Sequence, residues 1–453
     1  MTPESSEDTS DNLLANRKTH YSTAVKSSIG LGLVLRLIEY AWNRSLWVDE
    51  ASLALNVLDL PWPELLQPLR HNQAAPPGFL ALTKTVTMVA DRGELALRFI
   101  PLLGGLVSVI LFVHVARKVL DRKALLLATF LFAISGHLVY YSAEFKQYSV
   151  DLATCLGLTW LFFVSLDNPL GKARIAVLIA AGSTAVWLSH ASVFVLFAGG
   201  IVLQAAAINR GSRKRMLQLS LVGSTWLLSF AALYTLNLRH VSHNGSLEEF
   251  WSHSFMPLGL PAIPWTIQKM LGLFANPVGL TAVGLTCVCF VWGTRDVFAK
   301  SPRKALVLVL PILAAFLASA AHRYPFNGRL LLFTVPAVLI CVSRGASRIA
   351  SHARNQARWL SVAFVALLVF HPAVSAVRGA LRGPGREEVR PVLKYVDAEA
   401  EPGDRLYVYY GARNPFRYYR KRMDLPDLRI EYGEEARNNW DSYKSDVCSL
   451  KAC

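Results

Sequence analysis

The chain has 453 residues, of which 53% are hydrophobic and 17% charged, with a formal charge of +16 and a mean hydropathy of +0.34. A soluble domain carries about a quarter charged residues, so much of this surface must face lipid. The positive charge argues against nucleic acid by its placement. Lys and Arg gather in short clusters between apolar runs, which is how cytoplasmic loops of membrane proteins are built.

Residues 1–24 are polar, rich in Ser, Thr, Asp and Glu, and are expected to form a disordered cytoplasmic tail. They are too many and too acidic for the n-region of a signal peptide, so the first apolar segment is expected to stay as an anchor. Apolar segments able to span follow at 25–43, 99–119, 124–142, 148–166, 174–190, 191–209, 216–236, 271–293, 304–321, 330–343 and 358–377. These eleven predict an all-α polytopic membrane domain over 25–377, with Ser189-His190-Ala191-Ser192 as a tight hairpin between two of them.

An odd number of spans puts the N-terminus in the cytoplasm and the C-terminus outside. That topology assigns to the cytoplasmic side Arg117-Lys118 with Arg122-Lys123, Lys172 with Arg174, Arg210 with Arg213-Lys214-Arg215, Arg295 with Lys300 and Arg303-Lys304, and Arg344 with Arg348, Arg354 and Arg358. The expected location is the cell (inner) membrane. Loops 44–98 and 237–270, and the short segments around 143–147 and 322–329, then face outside.

The first outer loop opens on Leu46-Trp47-Val48-Asp49-Glu50-Ala51-Ser52. Carboxylates beside a bilayer are costly, so each needs a reason. Asp49, Ser52, Asn56 and Asp59 recur three or four apart, with Trp47, Ala51, Ala54, Leu55 and Leu58 opposite them, and Pro61 and Pro63 follow. The spacing predicts an amphipathic helix lying on the membrane surface and offering its acids to a cavity. Pro77 to about Ala90 is too short to cross and predicts a second surface-lying helix. Glu94 and Arg98, one turn apart, are expected to pair.

From 378 onward the pattern changes, and 378–453 predicts a small extracytoplasmic α/β domain. Arg386 to Ala400 has helical periodicity, with Val389, Val392, Leu393 and Val396 on one side. Glu401-Pro402-Gly403-Asp404 marks a turn, Arg405 to Tyr410 a strand, and Asn414 to Arg420 another helix. Its size is near the lower limit for an independent core. The six cysteines show no metal-ligand spacing. Cys155, Cys287, Cys289 and Cys341 read as small core residues, and a Cys448–Cys453 disulfide stays open.

The segment Leu46 to Ala51 resembles the first-loop signature of the GT-C glycosyltransferases, in the branch related to protein O-mannosyltransferases. Other elements follow in that family's order. His71-Asn72-Gln73-Ala74-Ala75-Pro76-Pro77 resembles its Pro-Pro element, and Gly93 to Pro101 its entry to the second span. Ser142-Ala143-Glu144-Phe145-Lys146-Gln147-Tyr148 resembles a Glu-x-Arg-x-Tyr element with Lys146 in place of Arg, and Arg323 to Arg329 with Pro336 a late-loop Arg motif. The resemblance spans roughly residues 30–345. It implies transfer of a sugar from a polyprenyl-phosphate donor, with inversion, to a lipid, glycan or protein acceptor.

Under that reading Asp49 is the general base, and Glu50 orients it or contacts the sugar. Lys146, Arg329, Arg323 and Arg98 are candidates for gripping the donor phosphate. Glu144, His71, His190 and Tyr148 are further site candidates. No cofactor is called for, although a divalent metal on His71 or His190 with Glu144 or Asp49 stays open. Two rivals are a multi-span transporter or lipid flippase, and a polysaccharide polymerase or ligase that uses diphosphate-linked glycans. The first favours acids at the bilayer midplane and repeat symmetry, neither of which is visible here.

Overall fold

A computed structural model describes residues 5–90, 92–239, 245–352, 358–383, 385–423, 425–434 and 439–449. Helix α1 (Ser5–Ala41) leads into the first loop, which carries α2 (Val48–Asp59) and α3 (Pro77–Val89). The bundle continues with α4 (Glu94–Arg117), α5 (Arg122–Ile134), α6 (Gly136–Tyr141), α7 (Tyr148–Asp167), α8 (Lys172–Leu188), α9 (Ser192–Asn209) and α10 (Arg213–Leu233). A second loop holds α11 (Gly245–Trp251) and α12 (Ala262–Ala275), followed by α13 (Val283–Lys300), α14 (Pro302–Ala320), α15 (Val335–His352) and α16 (Arg358–Arg382). The C-terminal segment has α17 (Val389–Glu399), α18 (Arg413–Arg420) and α19 (Trp440–Ser449), with strands β1 (Arg405–Val408) and β2 (Arg429–Tyr432).

Seven of the described helical stretches are long and apolar enough to cross a membrane. The most hydrophobic is α4, whose 24 residues give about 36 Å at the usual rise, more than the hydrocarbon core needs. The predicted hairpin at 189–192 is present: α8 stops at Leu188 and α9 starts at Ser192.

Four expectations change. The polar stretch from Ser5, read as disordered, is helical and continuous with the first apolar segment. An apolar helix beside it removes the nucleation cost for further turns, so a polar extension can propagate. Segment 124–142 is not one helix, because Ser135 turns to extended geometry and α6 restarts at Gly136. Segment 271–293 is broken as well, since Asn276-Pro277 and left-handed Gly279 (φ 84°) end α12, and α13 runs on to Lys300. Span 330–343 is instead a 3-10 turn, Gly328–Thr334, that feeds the longer α15.

Close packing fixes the bundle's far half. A Cβ on Gly293 of α13 would lie 1.8 Å from the Cys341 carbonyl of α15. In return, a Cβ on Gly345 would lie 1.9 Å from the Cys289 carbonyl. The two helices therefore cross backbone to backbone, which only glycine permits. Near this crossing, α15 carries Arg344, 1% exposed, into ion pairs with Asp121 and Asp296. Asp296 also meets Arg348 at 2.9 Å and Lys300 at 3.8 Å, while Asp167 pairs with Lys304 at 2.7 Å and Lys118 at 3.1 Å. These pairs join the ends of α4, α7 and α13 to the starts of α5 and α14, so they lie together at one end of the bundle. The basic clusters predicted for a single side thus share one end of the fold. Arg354 lies outside the described residues.

At the other end, the C-terminal segment does not stand alone. Strands β1 and β2 form a two-stranded parallel sheet, with Arg405 opposite Arg429 and Val408 opposite Tyr432. Its buried residues Leu393, Val408, Phe416 and Tyr419 join one apolar cluster with Leu46, Ala51, Leu55 and Phe79 of the first loop. The predicted apolar face of α17 narrows to Leu393 and Val389, because Val392 is 59% exposed. Cys448 is a free, exposed thiol, and Cys453 lies outside the described residues.

Candidate active site

The site forms where the first loop meets the 142–148 loop and the start of the Gly328–Thr334 turn. Helix α2 is buried on both faces, from Glu50 through Val57, and not laid on lipid as its amphipathic pattern suggested. Its polar residues find protein partners. The Asn414 amide of α18 donates to Ser52 Oγ at 2.8 Å. Asn56 exchanges hydrogen bonds with the Arg70 backbone, at 2.7 Å from N–H to Oδ1 and 3.0 Å from Nδ2 to the carbonyl. The polar stripe is therefore an internal hydrogen-bonding face.

Both acids sit in the first turn of α2, where the helix dipole favours negative charge. One residue's rotation sends them apart. Asp49 remains 24% exposed and pairs with Arg329 at 2.7 Å. Burial pushes its carboxyl up, but Lys146, Arg329 and Arg386 outweigh that and hold it below the usual carboxylate range.

Glu50 points into the core and is fully buried. It forms a two-pronged pair with Arg98, at 2.8 Å from Nε and 2.7 Å from Nη2, and accepts the Phe145 N–H at 2.6 Å. Arg98 also donates to the carbonyls of Arg44 (2.7 Å) and Ser45 (3.3 Å). Burial raises the Glu50 carboxyl, yet Arg98, Arg44 and the Phe145 N–H win, and its pKa lies below the ordinary value. Two expectations fall together here. Arg98 does not pair with Glu94, because Glu50 reaches it across the fold, and it lies buried beneath the site with 1% exposure. Glu94 instead accepts from Tyr419 Oη at 2.9 Å and faces Arg390 at 3.6 Å.

The 142–148 loop completes the cluster. Lys146 is 5% exposed, and its Nζ donates to Gln73 Oε1 at 2.5 Å. Burial is the largest influence on this amine and lowers its pKa, against the pull of Asp49. Glu144 is fully buried with both carboxyl oxygens unpartnered among the described residues. Burial, then the charge of Glu50, push its carboxyl up, while Arg44, Arg386 and Arg329 pull the other way. The Tyr148 ring lies 5.7 Å from the Arg329 guanidinium and edge-on to Tyr141 at 5.2 Å. Arg329 is further framed by Trp47 and Trp251, each with its ring centroid 5.6 Å away.

The structure thus brings together Asp49, Arg329, Lys146, Glu144 and Tyr148, with Glu50 and Arg98 beneath them. It does not bring in the rest. Arg323 stays exposed in its loop and is not among the charges acting on Asp49 or Glu144. His71 adopts a left-handed backbone (φ 62°) in a turn; burial, Arg417 and Arg70 lower its pKa, and no site carboxylate acts on it. His190 is half-buried between α8 and α9, its Nε2 shielded and without a partner among the described residues. Among the described residues no three His, Cys, Asp or Glu side chains gather as metal ligands. Asp49 is surrounded by cations, and neither histidine joins Glu144, so the donor set does not fit a divalent metal.

Sequence reading passed over Gln73, Trp47, Trp251, Arg44 and Arg386. Gln73 and Trp47 lie inside the quoted motifs and carried a signal in their closeness to His71 and Asp49. Trp251 and Arg386 carried none, since only the fold returns their segments to the first loop.

Residues 74–236, less than half of the chain, match the family model described as dolichyl-phosphate-mannose-protein mannosyltransferase. No curated protein sequence matches the chain. Among solved structures, ArnT from Cupriavidus metallidurans in the apo state superposes with a TM-score of 0.55 at 14% identity, covering 95% of this chain and 88% of its own. The Archaeoglobus fulgidus oligosaccharyltransferase in the apo form gives a TM-score of 0.55 at 14% identity, covering 90% of this chain and 64% of its own. The same enzyme in complex with Zn and sulfate gives 0.54 at 12%, covering 86% and 61%. The chain therefore spans somewhat under two thirds of the archaeal enzyme's length.

Proposed function

We propose, from a chain that is an integral membrane protein with the fold of the GT-C glycosyltransferases, that it moves a sugar from a polyprenyl-phosphate donor to a lipid, glycan or protein acceptor with inversion. The observation that carries the reading is Asp49, partly exposed and paired to Arg329 at 2.7 Å, with Lys146 among the cations acting on it. A base and two anion-gripping cations side by side are what this transfer needs. The family-model match over 74–236 adds support, as do structures of the two neighbours that hold dolichol-phosphate and undecaprenyl phosphate.

In the reaction, Asp49 accepts the proton of the acceptor hydroxyl as its oxygen attacks the anomeric carbon. The bond from that carbon to the phosphate oxygen breaks, and the polyprenyl phosphate leaves with the electron pair. Arg329 and Lys146 take up the growing negative charge. A carboxyl held below its usual pKa is a weak base, but a phosphate drawing Arg329 to itself relieves that depression. Asp49 then gains basicity once donor is bound. Glu50 acts as a positioning residue through Arg98 and the Phe145 backbone, and Glu144, with both buried carboxyl oxygens unpartnered among the described residues, is a further site candidate. Arg98 serves only to hold Glu50, and no step needs Arg323, His71, His190 or a metal.

The basic clusters gather at the far end, which by the positive-inside rule supports a site facing outside the cytoplasm, and the inner membrane is the location read for it. Transfer from a radiolabelled polyprenyl-phosphate sugar, without net transport, by the protein in proteoliposomes is the expected result. Asp49→Asn should stay folded and bind donor while losing on the order of 100-fold or more in transfer rate. A fully active variant would overturn the mechanism, and transport without transfer would restore the flippase reading.

A further inference from the structure

The segment joining α16 to the C-terminal fold crosses the start of α2 as a strap. Glu387 Oε2 accepts the Val48 N–H at 3.1 Å, filling the first free donor of the helix that carries Asp49. Glu388 Oε2 accepts from Ser45 Oγ at 2.6 Å, and the Arg390 N–H donates to Ser45 Oγ at 3.2 Å. These contacts hold residues 386–388 outside the helix predicted for them, which starts only at Val389. They also fix the position of Arg386.

Arg386 is exposed and makes no ion pair among the described residues. Its guanidinium lies 4.4 Å from the Trp47 ring centroid and 5.0 Å from that of Tyr140. Trp47 is the ring that also frames Arg329, at 5.6 Å. Arg386 is one of the charges acting on both Asp49 and Glu144. A planar guanidinium stacked on aromatic rings is preorganised, and its N–H edge stays free for two-pronged contact with phosphate. Arg329 is already engaged by Asp49, so Arg386 is the guanidinium an arriving anion meets unpaired.

We propose that Arg386 is a second guanidinium of the donor-phosphate site, supplied by the C-terminal strap and sharing the Trp47 ring with Arg329. The proposal rests on the polyprenyl-phosphate reading above. It makes the C-terminal segment part of the donor site.

Binding of undecaprenyl phosphate to the full-length protein in nanodiscs, with undecaprenol as the uncharged control, tests it. Arg386→Gln should weaken undecaprenyl phosphate binding on the order of tenfold or more, leave undecaprenol binding unchanged, and keep the wild-type Tm. Arg386→Lys should recover part of the loss, because the charge returns without the two-pronged edge. Wild-type affinity in Arg386→Gln would overturn this proposal and leave the donor reading intact. Equal loss for both lipids would show a strap effect instead and would also overturn it. Failure of the wild-type protein to prefer the phosphate over undecaprenol would sink the donor reading itself.

Discussion

Asp49 and Glu50 are adjacent in sequence and opposite in surroundings, and the difference comes from what each meets. Asp49 was legible from the chain because an acid beside a bilayer needs a partner or a task. The part played by Glu50 was not, since Arg98 stands 48 residues away and offered a nearer acid, Glu94, as a decoy. Glu50→Gln leaves a buried guanidinium without its counter-charge and should cost about 3–5 kcal/mol, seen as a large drop in Tm in detergent. The sign with pH follows from the lowered Glu50 pKa. Its stabilisation is complete above the ordinary glutamate pKa and is lost as pH falls through the folded-state value, so the variant's stability should be flatter in acid. For Asp49 the logic concerns rate. Removing a cation raises its pKa, so Arg329→Gln should move the acid limb of the kcat/KM profile to higher pH as well as lowering its plateau. An unmoved limb would separate Asp49 from the proton transfer.

At the scale of elements, hydropathy found where helices lie but not where they break. Pro277 and Gly279 were visible punctuation, yet the apolar residues around them read as one span. The Ser135-Gly136 break has a tertiary cause, because a Cβ at Gly136 would sit 2.6 Å from Ser375 Oγ on α16. The crossing of α13 and α15 is likewise hidden in sequence, since its two glycines stand in different helices with no shared spacing. Gly293→Ala or Gly345→Ala forces backbones apart and should abolish the monodisperse folded peak in size-exclusion chromatography. Gly223→Ala, which meets nothing within 4 Å, should be neutral or raise stability by up to about 1 kcal/mol. A folded, unshifted Gly293→Ala variant would refute the crossing.

Across the whole molecule the alternation of apolar spans and basic clusters was readable in the chain, and the fold gathers those clusters at one end. What composition did not disclose is that the first loop and the C-terminal fold share one core. Tyr419 donates to Glu94 at 2.9 Å and accepts the Leu46 N–H at 2.8 Å, tying the C-terminal segment to the residues just ahead of Asp49. A segment from Val389 onward, expressed alone, should lack cooperative unfolding and resolved amide signals, because its buried residues need Leu46, Ala51 and Phe79. Full-length Tyr419→Phe should lose about 1–3 kcal/mol, since the buried Leu46 N–H loses its acceptor and Glu94 keeps only Arg390.

The pairing of Asp49 with Arg329 also bears on inhibition. A neutral mimic of the sugar alone meets two groups already satisfied by each other and has little to offer either. A compound carrying a phosphonate or sulfonate can capture the arginine, and by doing so it unmasks the aspartate for a second, hydroxyl-bearing arm. Potent blockers of this protein should therefore be anionic first and sugar-like second.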